Sequence, residues 1–488
     1  MHTRRFTILH SNDMHGDFMA EARGAEGNLI GGLGLLSGYL NKVRREEQNV
    51  LYVIAGDMVQ GSMIDSEFKG ISTIELMNYL APEVVTLGNH ELDYGLPHLL
   101  FLEKMATFPI VNANLYIKKY HRRLMQPYVV LNVDGFEILF IGIITEAVLS
   151  ALRLDTTIGT LVDLEDAATE VGKICNAYKD QDIDLTVLLT HIGFDSDKEL
   201  AAMLDPEWGV DLMIGGHSHT VLEQPAVVNN ILITQAGTGT DQVGRFDITV
   251  DDDTNAIVAW QWELIPINSS IAAPDEELLT FIDSYKNIVD QKYGALLCHF
   301  TEALTHPKRE IETALGNLVA DVLAERASAD VVLFGSGAIR STSMGPLVTL
   351  GDLYKTFPFV DTLQLFTVSG ATLKRLFSHI MRIENRDGEG ECFQVNRGVA
   401  AVWDDRTQTL ESLSARGEPV ADAARYSVLL QGYHYKNAAQ NIGLAPSDLL
   451  LLEPGRLVAT SARDVLEEYM RVHQNLRSRV EGRLVYKS

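Results

Sequence analysis

Cysteine is scarce: the 488 residues hold three, Cys175, Cys298 and Cys392. They are far apart, odd in number, and form no Cys-x-x-Cys pair. That excludes a disulfide framework and a thiolate metal site, and buried reduced thiols are the expectation. No run of about 18 apolar residues exists, which excludes a membrane-spanning helix. The N-terminal segment from Met1 to Phe6 leads into a strand with no apolar stretch before it. No secretory leader is therefore expected, and the cytoplasm is the expected compartment. Positive charge is short as well: 40 Lys and Arg against 66 Asp and Glu leave a net charge of −26. Such a field repels a nucleic-acid polymer or an anionic membrane surface. A small phosphate ester at a locally positive site stays compatible with it. Internal repeats and low-complexity segments are missing too.

What is present is an ordinary globular composition, 46% hydrophobic with 14 Pro and 38 Gly. The length exceeds one core, so two or three domains are expected. The pattern divides at residues 1–268, a helical linker at 269–297, and a second α/β region at 298–488. The linker reads as a long helix with an acidic start at Asp275, Glu276 and Glu277, suited to the helix dipole.

Several apolar runs end in polar loops. Phe6–His10 is followed by Asp13 and His15. Val50–Ala55 empties into Gly56 and Asp57. Val84–Leu87 leads to Gly88, Asn89, His90, Glu91 and Asp93. Leu185–Thr190 ends at His191. Leu212–Ile214 runs into Gly215-Gly216-His217-Ser218-His219. Such runs are strand-like, and open α/β sheets collect their active residues at the carboxyl edge. A hairpin is expected over Val129–Ile144, turning at Asp134-Gly135. Helices are expected over Gly31–Glu47, Ile71–Leu80, Leu164–Tyr178, Thr313–Ser328 and Leu373–Met381.

Each polar segment alone has a plain structural reading: a tight turn, a helix cap or a surface histidine. Together they supply Asp13, His15, Asp57, Asn89, His191, His217 and His219, with His90 beside them. These are too many donors for one ion and suit two, held about 3.5–4 Å apart by a shared carboxylate. Nitrogen and oxygen donors without sulfur favour Mn, Zn, Fe, Co or Mg. A water between two cations loses its proton near neutral pH, which suits phosphate-ester hydrolysis. His90 is then a candidate acid or transition-state donor, oriented by Asp93. His2, His98, His121, His306, His379 and His434 have no such context and read as structural or exposed.

The segments Asp13-Met14-His15, Gly56-Asp57, Gly88-Asn89-His90-Glu91, Thr190-His191 and Gly216-His217-Ser218-His219 resemble the five signatures of the calcineurin-like metallophosphoesterases. With the second α/β region, the chain is similar to the bacterial 5′-nucleotidase / 2′,3′-cyclic-nucleotide phosphodiesterase family. The resemblance implies a four-layer α/β/β/α sandwich, a linking helix and a C-terminal substrate domain that rotates over the site. It implies Asp13, His15, Asp57 and His219 on one metal, with Asp57, Asn89, His191 and His217 on the other. His90 with Asp93 would be the catalytic pair. It further implies Asn317 and Arg340 as substrate ligands, and a base clamped between Phe393 and a second aromatic. The family's Gly-Gly-Asp-Gly-Tyr segment is replaced here by Gln431-Gly432-Tyr433-His434-Tyr435, so Tyr433 or Tyr435 would take the second place. The segment Lys355 to Phe359 matches another family segment, with packing as its expected role. The implied activity is removal of phosphate from nucleotides. The alternatives are a cyclic-nucleotide, dinucleotide or nucleotide-sugar phosphodiesterase, and a non-catalytic nucleotide-binding protein.

Overall fold

Side-chain alternation along one strand sets the layering of the first half of the chain. In Phe136–Ile144, Ile138 and Phe140 join one hydrophobic core, while Leu139, Ile141 and Ile143 join another. A period of two sends successive residues to opposite faces, so this strand is covered on both sides. The inner core lies between two six-stranded sheets. The first runs in the order Ala256–Pro266, Gln242–Asp251, Thr3–Ser11, Val50–Ala55, Val84–Thr86, Ile110–Val111. The second runs Ala226–Val228, Ile231–Thr234, Leu212–Ile214, Leu185–His191, Phe136–Ile144, Tyr128–Val133. Phe6, Val53 and Phe246 from the first sheet meet Phe140, Val187 and Ile214 from the second. Helices Leu164–Ala177 and Phe194–Met203 cover the outer face of the second sheet through Val171, Ile174 and Leu200. Helix Leu33–Glu46 buries Leu36, Leu40 and Val43 and packs beside Val50–Ala55. This is the α/β/β/α order.

The structure is a computed structural model and describes residues 3–23, 28–117, 120, 122–144, 163–251, 253–386, 392–445 and 455–488. His2 and His121 lie outside the described residues. The chain divides into two units, Met1–Val289 and Asp290–Ser488. The division falls inside the helix Glu276–Tyr293. That helix is shorter than the 269–297 linker read from the sequence. Asp275 Oδ1 accepts from Leu278 N and closes the N-terminus just after Pro274, and at the other end the chain turns into the strand Leu296–His299. In the second unit a five-stranded sheet runs Phe393–Val395, Val331–Gly335, Arg425–Gln431, Leu363–Ser369, Arg456–Ala459. Leu373 and Phe377 of helix Gly370–Ile380 pack on it with Phe366, Phe393 and Trp403. The three cysteines are buried and none forms a disulfide. Among the described residues no helix is long and apolar enough to cross a membrane.

One core residue carries a pH consequence. His10 is fully buried in the first strand, stacked on Trp262 with centroids 5.4 Å apart. Neither ring nitrogen has a hydrogen-bond partner among the described residues. Gly244 lies opposite, where a Cβ would sit 2.1 Å from the imidazole Nε2. Burial pulls its pKa down to about 3. The folded value lies below the unfolded one, so proton uptake favours unfolding. Its stabilising contribution is complete above about 6.5 and is lost as pH falls toward the folded value. Melting curves without divalent cations should therefore show a smaller loss between pH 7 and pH 4 for His10→Leu than for the unaltered chain.

Candidate metal centre

Parallel pairing brings the polar loops to common edges. Thr3–Ser11 pairs in parallel with Val50–Ala55, and that strand with Val84–Thr86. The loops carrying Asp13, Asp57 and Asn89 thus leave one sheet edge together. Leu185–His191 pairs in parallel with Leu212–Ile214, which brings out His191, His217 and His219 from the second sheet. Donor atoms within 4.8 Å of one another form three groups: Asp13 with His15 and His219, His15 with Asp57 and His90, and Asp57 with His191 and His217. Asp57 belongs to two of them.

The distances are short. His15 Nε2 lies 3.1 Å from His219 Nε2, and His219 Nε2 lies 3.3 Å from Asp13 Oδ1. His191 Nε2 lies 3.0 Å from Asp57 Oδ2, and His217 Nδ1 lies 2.8 Å from Asn89 Oδ1. His191 Nδ1 faces the Ala55 carbonyl at 2.8 Å, which aims its other nitrogen at Asp57. His90 N donates to Asp57 Oδ1 at 2.9 Å, while its Nδ1 sits 2.6 Å from Asp93 Oδ2.

The backbone is strained here. Asp13, His15, Asp57, His217 and His219 all have positive φ, between 49° and 79°. Left-handed backbone at a non-glycine residue costs on the order of 1 kcal/mol or more, and clusters at functional sites. Gly88 allows the close approach of the loops, since a Cβ there would stand 2.1 Å from Asp57 Oδ1. Glu91, quoted in the sequence reading but given no role, is buried and holds both loops. Its carboxylate accepts from the backbone N–H groups of Asp57, Met58, Val59 and Gly88. Only the short spacing Gly88-Asn89-His90-Glu91 hinted at it.

The electrostatics favour positive charge at the centre. Burial alone pushes the Asp57 carboxyl up, but the contact with and charge of His191 outweigh it and hold the carboxyl below its ordinary value. Burial pulls His191 down, but Asp57 and Asp13 outweigh it and the net direction is up. Burial lowers His15 and His217, keeping them neutral, the form in which imidazole ligates a metal. His90 is raised, chiefly by its bond to Asp93. A divalent cation fits this set. The fully buried His191 Nε2 has no aligned hydrogen bond among the described residues, and the donors are all nitrogen or oxygen.

The residues assigned to substrate in the second unit separate into two groups. Arg340 and Tyr433 line a cavity of about 440 Å³ together with Arg309, Phe359, Asp361, Gln431 and His434. Phe393 does not reach it: it is 2% exposed, and its register opposite Gly335 turns the ring into the core. Tyr435 packs on Phe366 in that same core. Asn317 is buried in its helix, where its Nδ2 donates to Glu312 and to the Arg479 carbonyl. Phe359, read as a packing residue, is 52% exposed on the cavity wall, with the Arg340 guanidinium 5.4 Å from its ring centre. Phe357, two residues earlier, is the one that packs. Tyr433 is 60% exposed. Arg309 carries no role in the sequence reading, and His434, which reads there as structural or exposed, is buried beside Phe393 and Tyr433 while still lining the cavity.

Comparison with known proteins agrees with this geometry. Residues 6–221 match the family described as "Calcineurin-like phosphoesterase", and residues 296–442 match "5'-nucleotidase, C-terminal domain". The chain is 28% identical to the snake venom 5'-nucleotidase of Naja atra over 82% of this chain and 82% of that protein. It is 25% identical to the endonuclease YhcR of Bacillus subtilis over 87% of this chain, but spans only 36% of that longer protein. In fold it resembles the 5'-nucleotidase precursor of Thermus thermophilus, with TM-score 0.63 and 24% identity over 99% of this chain and 100% of that one.

Proposed function

We propose that this chain, which belongs to the calcineurin-like phosphoesterases carrying a 5'-nucleotidase C-terminal domain, is a two-metal hydrolase that removes phosphate from nucleotides. The observation that carries the reading is Asp57, placed within donor distance of one group with His15 and His90 and of another with His191 and His217. Asp13, His15, Asp57 and His219 are assigned to one divalent ion, with Asp57, Asn89, His191 and His217 on the other. When bound, the ions supply an activated water and a clamp on the phosphoryl oxygens. His90 donates to the leaving oxygen or to the developing charge, and Asp93 orients its ring. Mn, Zn, Fe, Co and Mg all suit the donors.

In the second unit, the cavity between Phe359 and Tyr433, with Arg309 and Arg340 on its wall, suits a flat base on an anionic sugar phosphate. Stacking is worth about 1–3 kcal/mol per base, so Phe359→Ala and Tyr433→Ala should each raise KM for a mononucleotide about tenfold. KM for ribose 5-phosphate, which has no base, should stay unchanged. Equal loss on both substrates would remove the base from this cavity. Phosphate release from mononucleotides, 2′,3′-cyclic nucleotides and nucleotide sugars tests the reaction itself. Monoesters should be the best substrates, and a clear preference for either of the others would make the enzyme a phosphodiesterase.

A further inference from the structure

Behind the histidine loops lies a buried polar pair with no place in the reaction. Asp197 sits in the first turn of helix Phe194–Met203, and Gln235 follows the strand Ile231–Thr234. Both are wholly buried. Asp197 accepts from Thr190 Oγ1 at 2.6 Å and from Gln235 Nε2 at 3.1 Å. Gln235 Nε2 also donates to the Gly216 carbonyl at 3.1 Å. Its Oε1 accepts from Ser218 Oγ at 3.0 Å and from Thr220 N at 3.2 Å.

The partners are the residues that flank the imidazoles. Thr190 precedes His191, Gly216 precedes His217, Ser218 stands between His217 and His219, and Thr220 follows His219. Gly215 has no room for a side chain, since a Cβ would lie 2.1 Å from Asp197 Oδ2. The next two residues after Gln235 reach a further loop. Asn12 accepts from Ala236 N, donates to the Gly237 carbonyl, and also donates to Asp13 Oδ2. Asp197 and the buried segment 235–237 together therefore hold the loops of His191, His217, His219 and Asp13.

We propose that Asp197 and Gln235 are positioning residues that set the metal-binding geometry of the two histidine loops. The inference rests on the two-metal reading above. An amide and a carboxylate buried together cost free energy unless fully paired, and here the pairing is directed at backbone and hydroxyl groups of residues next to the ligands. Outer partners of this kind fix ligand orientation, and their loss weakens metal binding by about 10- to 100-fold.

The test is titration of the metal-stripped full chain with Mn²⁺, followed by calorimetry and electron paramagnetic resonance, with thermal unfolding of the metal-free protein alongside. Gln235→Leu and Asp197→Ala should weaken Mn²⁺ binding about 10- to 100-fold, while Asp197→Asn, which can still pair with both neighbours, should keep most of the affinity. Ser218→Ala changes an exposed hydroxyl and leaves the core intact. It reports on the same loop should Gln235→Leu fail to fold, and should weaken binding by a smaller factor. Mn²⁺ affinity equal to that of the unaltered chain in Gln235→Leu, or in Ser218→Ala, would overturn the proposal. Loss of metal-free stability with affinity preserved would reduce the pair to a fold element. An unaltered chain that binds no Mn²⁺ would instead bring down the two-metal reading, and this inference with it.

Discussion

Asp57→Ala should abolish phosphate release while leaving the protein folded. Among the described residues Asp57 is the one carboxylate common to two donor groups, and its Oδ2 lies 3.0 Å from the buried His191 Nε2. Without it the remaining donors form two incomplete sets. Loss of outer partners weakens metal sites by about 10- to 100-fold, so loss of a shared ligand should exceed about 100-fold in turnover. Metal per chain, measured after reconstitution, should fall from two to below one. The metal-free variant should melt somewhat lower than the unaltered chain, because the buried His191 imidazole loses the carboxylate that pairs with it. Asp57→Asn, which keeps the shape and tolerates the left-handed backbone, should fall between the two. Near-normal turnover in Asp57→Ala would remove the bridging role and the case for a shared centre.

His90→Asn should behave differently. A positioned acid contributes about 10²- to 10⁴-fold to rate, so kcat should drop by that order with KM and metal content kept. The bond to Asp93 raises the pKa of His90. The acid form then survives to higher pH, and kcat falls as pH rises through that value. Asp93→Asn removes the cause and should move this alkaline fall to lower pH. His90 also lies in one donor group with His15 and Asp57. If the variant loses metal in proportion to activity, His90 is a ligand rather than an acid.

The donor cluster was legible in the sequence because its members sit where apolar runs stop. Leu185–Thr190 reads as a strand and the strand runs one residue further, to His191, while the hairpin turn stands at Asp134-Gly135 as its sequence indicates. Long buried strands announce themselves by composition, and the polar residue after them is the only one free to face a ligand. The second unit was less legible for the opposite reason. Phe393 lies in a three-residue strand, too short for its pattern to say which face is inward. Pairing with Val331–Gly335 decided it. Phe357 and Phe359 are separated by Pro358, and nothing local tells which ring packs. Asp197 and Gln235 lie 38 positions apart and meet only through the sheet. The linker reads longer than the helix because its apolar periodicity marks only the middle: Asp275 closes the start after Pro274, and beyond Tyr293 the chain enters the strand Leu296–His299.

The positive-φ loops have one more consequence. Five of the seven assigned donors stand on backbone that relaxes more easily in another shape, and they come from two facing sheets. A cation pair held by the proposed donors would tie the two sheets together at that edge, and scarcity of metal in the surroundings would leave the edge where the enzyme works without that tie.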